Sequence, residues 1–355
     1  MADSPSQMAA RGTIVLTGAN GGLGSAIVRQ ISSKPELLGH HGLYIVRDAS
    51  AAPALASALE RGSSSHTHEA VSLDLNDLDR VRRVAQDINS RVSSGQIPPI
   101  LVLVLNAGFL DFCNQAWTGD GYDVTFASNY LGHWLLTLLL LQSMDKETGS
   151  IVVVSSQSHD PSDPRNARGK AFKEARYKQI IGSGESSVDA IAKGTWSSAK
   201  EDPSFRSGFR RYGASKLCLV MMLYELRRRS DKDSSLNKLR FVGVDPGSMV
   251  TSIQRHAPWV IRVAIFGILY PVIACLFPNG PVRTPERSAS DVLDAALAPN
   301  RAGGEGSSEA LYLNGRDAAE ANSEVKDPRK RELLWKQTVK YTRLVAGETI
   351  LCHWQ

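Results

Sequence analysis

Short runs of apolar residues alternate along the chain with longer stretches in which apolar residues recur at helical spacing. Because the runs LVLVL and VVV are nearly continuous, they are typical of strands covered on both faces. The pattern therefore predicts an α/β fold, a doubly wound parallel sheet of about seven strands with helices on both faces. Helices are predicted to begin near Gly24, Ala52, Leu78, Tyr122 and Tyr212. The predicted strands are Thr13–Thr17, Gly42–Val46, Glu69–Leu73, Ile100–Leu105, Ser150–Ser155, Arg240–Val244 and Ala310–Leu313.

Two segments interrupt this alternation. The first, residues 157–211, is rich in Ser, Gly, Lys and Arg and is too long for an ordinary connection, so we interpret it as an insertion with a helix over Arg168–Ile181. The second, residues 258–277, is apolar enough to span a bilayer, but Arg262, Pro271 and the later strand argue against a span. We expect residues 252–285 to form an apolar lid over a substrate. Contact with a membrane surface through 258–277 and a buried helical hairpin remain open alternatives.

Composition and charge narrow the class of protein. The chain has 355 residues and a formal net charge of +5, too small an excess to indicate nucleic-acid binding. Acidic residues interleave the basic cluster of the insertion, which favours a solvated helix face. That cluster comprises Arg165, Arg168, Lys170, Lys173, Arg176 and Lys178. We expect a flexible N-terminus at 1–12, a single domain over 13–345 and a tail at 346–355. Four widely spaced cysteines and no apolar stretch in the first twelve residues favour a cytoplasmic setting without metal.

The first predicted strand leads directly into a glycine-rich turn and then a helix. Glycines permit a tight turn and a close approach of the backbone to a pyrophosphate, and the helix N-terminus supplies amide donors. The strand–turn–helix order predicts a dinucleotide site of the Rossmann type. Its expected contacts are Gly18, Asn20, Gly22, Leu23 and Gly24.

The ends of the next strands indicate which dinucleotide binds. Arg47 follows the second strand, where an arginine can pair with the 2′-phosphate of NADP(H). The neighbouring Asp48 leaves NAD open as the alternative. Residues at the ends of the third and fourth strands complete the expected cofactor contacts, namely Asp74, Leu75, Asn106, Ala107 and Gly108.

A second group of residues indicates acid–base chemistry. Tyr212 and Lys216 are four residues apart, so they share one face of a helix. A nearby ammonium and an oxidised nicotinamide favour the phenolate, so we expect a lowered pKa for Tyr212. Ser156 follows the fifth strand, at the sheet edge where ligands bind. Asn129 lies in an apolar helix and needs hydrogen-bond partners, and we interpret His133, one turn later, as packing or facing substrate.

Together these residues resemble the short-chain dehydrogenase/reductase superfamily from Thr13 to Leu344. The T-G-x-x-x-G-x-G pattern matches at Thr17–Gly24 and the N-A-G element at 106–108. The resemblance implies a catalytic tetrad with Tyr212 as general acid/base, Lys216 binding ribose, Ser156 orienting the carbonyl and Asn129 positioning a relay water. It also implies cofactor contacts from Tyr212, Lys216, Pro246, Gly247, Val250 and Thr251.

Other segments, such as SNYLGHWLLTLLLL, are similar to the retinol-dehydrogenase and WW-domain-oxidoreductase branch and to fungal tailoring reductases. The chain departs from the family pattern in three places. Leu105 replaces the first Asn of N-N-A-G, Asp245 stands where His often precedes Pro-Gly, and the insertion separates Ser156 from Tyr212.

We therefore expect an NADP(H)-dependent enzyme that interconverts a carbonyl and an alcohol on a bulky hydrophobic substrate, such as a polyketide, terpenoid, steroid or retinoid. A tailoring step in secondary metabolism fits this expectation. Reduction of a conjugated C=C bond and a non-catalytic nucleotide-binding scaffold are the alternatives. The expected partners are a small-molecule substrate and no nucleic acid, with self-association left open.

Overall fold

The computed structural model describes residues 11–249, 280, 282–298 and 311–355. These residues form one eight-stranded sheet in the order β3-β2-β1-β4-β5-β6-β7-β8. Every pairing is parallel except that between β7 and β8. The strands are β1 Thr13–Thr17, β2 His41–Val46, β3 His68–Ser72, β4 Ile100–Leu105, β5 Ser150–Val154, β6 Arg240–Asp245, β7 Tyr312–Asn314 and β8 Asp317–Ala318.

The doubly wound parallel sheet is confirmed. Strand order reverses between β1 and β4, so the carboxyl ends of these two strands diverge around a crevice in which ligands bind in such sheets. β8 was not predicted, because two exposed residues leave too little hydrophobic pattern to detect. Residue 310, the predicted start of β7, lies outside the described residues.

Nine helices lie in the part of the chain that the structure describes. Two apolar layers hold them to the sheet, one on each face. The helices are α1 Gly22–Ser33, α2 Pro53–Glu60, α3 Leu78–Ser93, α4 Val124–Ser143, α5 Glu185–Ala192, α6 Phe205–Ser230, α7 Pro285–Leu297, α8 Ser323–Lys326 and α9 Pro328–Thr342.

The start predicted for α6 is wrong, because this helix begins at Phe205 and not near Tyr212. Ser204 caps its N-terminus by accepting a hydrogen bond from the Arg206 amide. The two additional turns place Phe209 above Tyr212 on the same helix. The longer helix therefore brings residues of the insertion to the site.

The helix predicted over Arg168–Ile181 is also wrong. This segment consists of turns with one short 3-10 helix, Ala175–Tyr177. Lys170 has a φ of 53°, in the left-handed region that interrupts a right-handed helix. The Glu324 carboxylate accepts the backbone amides of Ile180 and Ile181 at 2.8 and 2.9 Å, so these donors are satisfied without a helix.

The buried guanidinium of Arg210 helps to pack the insertion against the start of α6. Arg210 lies 3.9 Å from the Tyr177 ring centroid and donates to Ser197, the Ala171 carbonyl and Asp202. The basic cluster does not form the solvated helix face that the sequence predicts, since this segment is not helical. Its first member, Arg165, is paired with two carboxylates.

The helix α4 is the one helix of the described chain that is long and apolar enough to cross a membrane, and it is 94% buried inside the protein. Such burial is typical of a core helix. The helix α9 and the C-terminal residues pack over α4 and α6, with Trp335 against Trp134 and Leu351 buried.

Candidate active site

A cleft of about 700 Å³ lies at the carboxyl edge of the sheet. It runs from the glycine-rich turn after β1 to the residues around Tyr212. Sixteen of the predicted site residues line it, and they come from seven separate segments of the chain. They are Gly18, Asn20, Gly22, Leu23, Gly24, Arg47, Asp74, Leu75, Asn106, Ala107, Gly108, Ser156, Tyr212, Lys216, Pro246 and Gly247.

The glycine-rich turn is held so tightly that two of its glycines are required. Gly18 has a φ of +70°, and a Cβ there would lie 2.7 Å from the Ala107 Cα. A Cβ on Gly24 would lie 2.1 Å from the Gly18 carbonyl oxygen. Both distances are far below van der Waals contact. The turn therefore packs directly on the N-A-G element, and α1 begins at the cleft without a side-chain cap on its first amides. This arrangement fits a pyrophosphate.

The outer end of the cleft contains the residues expected to select the cofactor. Arg47 is exposed over 61% of its side chain, and its Nε lies 4.0 Å from an oxygen of Asp74, too far for a hydrogen bond. Asp48 instead caps the next turn, because its Oδ1 accepts the amide and the hydroxyl of Ser50. Arg47 is thus available to an anion, whereas one oxygen of Asp48 is engaged.

The inner end of the cleft brings three of the four tetrad residues together. Tyr212 and Ser156 both line this end, and the Ser156 hydroxyl is near enough to act on the pKa of the phenol. The Lys216 ammonium lies 5.7 Å from the centroid of the Tyr212 ring and donates to the Val154 carbonyl at 2.8 Å. A phenol, a hydroxyl and an ammonium therefore line one end of the cleft, which is suited to proton transfer.

The protonation of this end is set mainly by burial. Burial and the negative charge of Asp245 raise the pKa of Tyr212, although the hydrogen bond from Ser156 opposes them. This direction is opposite to the lowering expected from the sequence, because spacing along a helix does not reveal how deeply a phenol is buried. Burial also lowers the pKa of Lys216 to about 8.

Asn129, the fourth tetrad residue, lies behind the wall of the cleft and is fully buried. Its Oδ1 accepts the Phe109 amide at 2.6 Å, and its Nδ2 donates to the Phe109 carbonyl and to Ser215. Ser215 in turn donates to the Tyr212 carbonyl at 2.7 Å. Asn129 lies in a π-helical turn, 127–131, a distortion that recurs at functional sites. Its side chain therefore connects the loop after β4 with α6.

Asp245 precedes the Pro-Gly element and is almost completely buried. Its Oδ1 accepts the Gly247 amide at 2.9 Å, and its Oδ2 lies 2.8 Å from a guanidinium nitrogen of Arg165. Arg165 also pairs with Asp163 at 2.6 Å. The insertion thus contacts the loop after β6 through a buried ion pair. Val250 and Thr251 lie outside the described residues, as do 252–279 and 281 of the expected lid, 252–285.

Comparison with known proteins identifies the family. The model of the short chain dehydrogenase family matches residues 12–168. A protein named short-chain dehydrogenase iccH, from Talaromyces variabilis, is 42% identical over 97% of this chain and 99% of its own length. The chain belongs to the short-chain dehydrogenase family. It is therefore an oxidoreductase.

More distant relatives agree with this assignment. The WW domain-containing oxidoreductase of Danio rerio is 28% identical over 91% of this chain and 66% of its own length. The solved structure of the angucycline C-6 ketoreductase LanV, with bound NADP, covers 87% of this chain and 95% of its own at a TM-score of 0.54 and 17% identity. The second comparison shows that the two share a fold.

The sequence analysis missed the apolar side chains at the inner end of the cleft of this short-chain dehydrogenase. Leu110, Phe112 and Phe209 line the cleft beside Tyr212. Phe209 precedes Tyr212 by three residues and so shares its helical face. A prediction that α6 begins before Phe209 would have placed this residue on the same face as Tyr212. Leu110 and Phe112 lie in the irregular loop after β4, which has no periodicity to mark them.

Proposed function

We propose that this protein is an NADP(H)-dependent oxidoreductase that interconverts a ketone or aldehyde with an alcohol on a bulky hydrophobic substrate. One observation carries the proposal. The phenol of Tyr212, the hydroxyl of Ser156 and the ammonium of Lys216 line one end of the cleft whose other end is the glycine-rich turn. This arrangement places acid–base groups within the same cleft as the expected pyrophosphate site.

Each side chain has a task that follows from its chemistry. Ser156 donates a hydrogen bond to the carbonyl oxygen and stabilises its developing negative charge. The raised pKa keeps Tyr212 protonated, so it donates a proton to that oxygen. Lys216 binds the ribose, and its positive charge stabilises the negative charge that Tyr212 acquires when it gives up its proton. When bound, the reduced nicotinamide supplies the hydride that reaches the carbonyl carbon.

Arg47 supports NADP(H) over NAD(H), because its exposed guanidinium matches a 2′-phosphate. We expect Arg47→Glu to weaken NADPH binding by about 100-fold through loss of a charge-assisted contact and new repulsion. NADH affinity should stay within about threefold of the original. Fluorescence titration of both nucleotides measures the two dissociation constants.

The control for Arg47→Glu is Lys232→Glu, which changes the net charge equally at an exposed position remote from the cleft. It should leave both affinities within about twofold. Equal losses of NADPH affinity in the two variants would indicate a long-range charge effect and contradict a 2′-phosphate contact at Arg47. Tight NADH binding by the unaltered protein, without preference for NADPH, would reject NADP(H) specificity.

The substrate class rests on the apolar lining beside Tyr212. Leu110 and Phe112 pack with Tyr212 in one cluster, and Phe209 borders it. Pockets lined this way bind apolar ligands that a few polar groups orient. The similarity to an angucycline ketoreductase and to a fungal short-chain dehydrogenase supports a tailoring step on a bulky secondary metabolite.

A panel of polycyclic ketones and enones tests the reaction type. We expect NADPH oxidation with bulky apolar ketones, and the product should be the secondary alcohol. Mass spectrometry and NMR identify that product. A product reduced at the C=C bond with its carbonyl intact would contradict carbonyl reduction as the activity of this site.

The pH dependence of reduction should report Lys216. Because its pKa is about 8, Lys216 loses its proton as the pH rises through that value. The value of kcat/KM for NADPH, which reports the free enzyme, should be level below pH 7 and fall about tenfold per unit above pH 8. In Lys216→Arg the guanidinium stays charged, so the fall should move to higher pH. A level profile through pH 9.5 in the unaltered protein would exclude this role.

A further inference from the structure

His133 is a buried polar side chain in an otherwise apolar layer of α4. It is completely inaccessible to solvent, and Trp134, Leu135 and Leu136 follow it in the core. Both of its ring nitrogens are nevertheless hydrogen-bonded. Nδ1 lies 3.0 Å from the Asn129 carbonyl oxygen, and Nε2 lies 2.9 Å from the Thr17 hydroxyl. His133 does not line the cleft, so of the two interpretations, packing or facing substrate, the structure supports packing.

The partners of His133 define its tautomer. A carbonyl oxygen only accepts, so Nδ1 carries the proton that it donates to Asn129. Nε2 is then an acceptor for the Thr17 hydroxyl at 2.9 Å, whereas the other acceptor of this hydroxyl, the Val104 carbonyl, is more distant at 3.3 Å. Burial lowers the pKa of His133 to about 4, which keeps the ring neutral and this arrangement intact near neutral pH.

Thr17 connects the His133 ring to the glycine-rich turn. Its hydroxyl oxygen accepts the backbone amides of Asn106 and Ala107 at 2.9 and 3.0 Å. Thr17 is also the residue immediately before Gly18, whose backbone contacts Ala107 so closely that a Cβ would clash. The Thr17 hydroxyl therefore connects the end of β1 with the end of β4, and its hydrogen bond to His133 orients it.

The π-helical turn supplies the other end of this connection. Residues 127–131 bond with π-helical spacing, and the Asn129 carbonyl that accepts the His133 ring belongs to this turn. The ring is thereby held between the distorted helix and the strand end.

We propose that His133 is a positioning residue that fixes the Thr17 hydroxyl and, through it, the geometry of the glycine-rich turn for the nucleotide. This inference rests on the proposed binding of NADP(H). It assigns His133 no contact with nucleotide or substrate. Its expected effect is on nucleotide affinity, because the contacts it orders belong to the turn.

Three substitutions separate positioning from packing. His133→Gln places an amide near the position of Nε2 and can still accept the Thr17 hydroxyl. His133→Asn has an amide near the position of Nδ1, which can donate to Asn129 but is too short to reach Thr17. His133→Leu fills the space without either hydrogen bond. The NADPH dissociation constant from fluorescence titration and the thermal midpoint are measured for each variant.

Loss of the bond to Thr17 should raise the NADPH dissociation constant about tenfold in His133→Leu and His133→Asn. His133→Gln should stay within about threefold of the original protein. Thr137→Val is the matched control, since it removes a buried hydroxyl from the same helix that bonds only to the His133 carbonyl. Its NADPH affinity should change less than twofold.

Two results would overturn the inference. One is unchanged NADPH affinity in His133→Leu. The other is a loss of affinity that His133→Gln does not rescue and that follows the thermal midpoint across all variants, which would show packing alone. If the unaltered protein binds neither NADPH nor NADH, the proposed cofactor fails first, and the inference is rejected with it.

Discussion

Replacing Tyr212 with Phe is expected to lower kcat for carbonyl reduction by about 10³-fold. Phe occupies the same buried volume, so the change removes the phenolic oxygen and little else. The reaction then lacks the proton donor beside Ser156 at the inner end of the cleft. NADPH affinity should stay within about threefold, because the glycine-rich turn is untouched. Steady-state rates with an accepted ketone and a separate NADPH titration measure the two quantities.

Tyr312→Phe is a matched control for this substitution. Tyr312 is equally buried, its hydroxyl lies 3.3 Å from His159, and it does not line the cleft. Its loss should change kcat less than threefold. If Tyr212→Phe retains more than a tenth of the original kcat, Tyr212 is not the proton donor, and Ser156 becomes the candidate for that role.

The largest expected effect on stability concerns Glu225, near the C-terminal end of α6. Its side chain is 1% exposed, and it accepts hydrogen bonds from Arg228, Arg229 and Arg331. We expect Glu225→Leu to lower the free energy of unfolding by roughly 3–5 kcal/mol, because it leaves three guanidinium groups close together without their shared carboxylate. Urea unfolding followed by tryptophan fluorescence measures the change.

The Glu225 carboxylate also makes the stability of the protein depend on pH. Burial raises the pKa of Glu225, but the hydrogen bonds and charges of the arginines outweigh burial and lower it overall. A lowered pKa means that the contribution to stability is present above the unfolded pKa of about 4.3 and disappears as the pH falls through the folded value. Glu225→Leu should therefore reduce the acid-induced loss of stability.

The control for Glu225 is Glu147→Gln, which breaks an exposed ion pair with Lys238. Pairs of this kind contribute about 0–1 kcal/mol, so its unfolding curve should nearly superimpose on the original. A similar shift in both variants would contradict the view that burial makes the Glu225 cluster important. The cluster also holds the end of the chain, since Arg229 donates to the Gln355 carbonyl at 2.8 Å.

The strands and the glycine-rich turn were predictable because their signals are local. A strand covered on both faces needs consecutive apolar residues, as in Ile100–Leu105, and this run carries its own signature. The requirement for glycine at Gly18 and Gly24 similarly follows from the sharp turn between a strand and a helix. Six of the seven predicted strands agree with the structure to within one residue at each end.

The insertion was less predictable because distant residues decide its conformation. Residues 168–181 have a composition compatible with a helix, yet Glu324 takes two of its amides. Arg165 reads in the sequence as one member of a basic surface cluster, whereas Asp163 and Asp245 bind it in the fold. Asp245 and Glu324 are eighty or more residues away from the groups they bind, and such distant partners leave no trace in local periodicity.

Helical spacing was enough to place Tyr212 and Lys216 on one face, and the order of strand ends was enough to assemble the cleft around them. These features depend on neighbouring residues and on the fixed geometry of helices and parallel strands. The protonation of Tyr212 and Lys216 and the bridge through His133 came only from the tertiary structure. Burial and hydrogen bonding depend on which remote side chains surround a group, and that is decided when the chain packs.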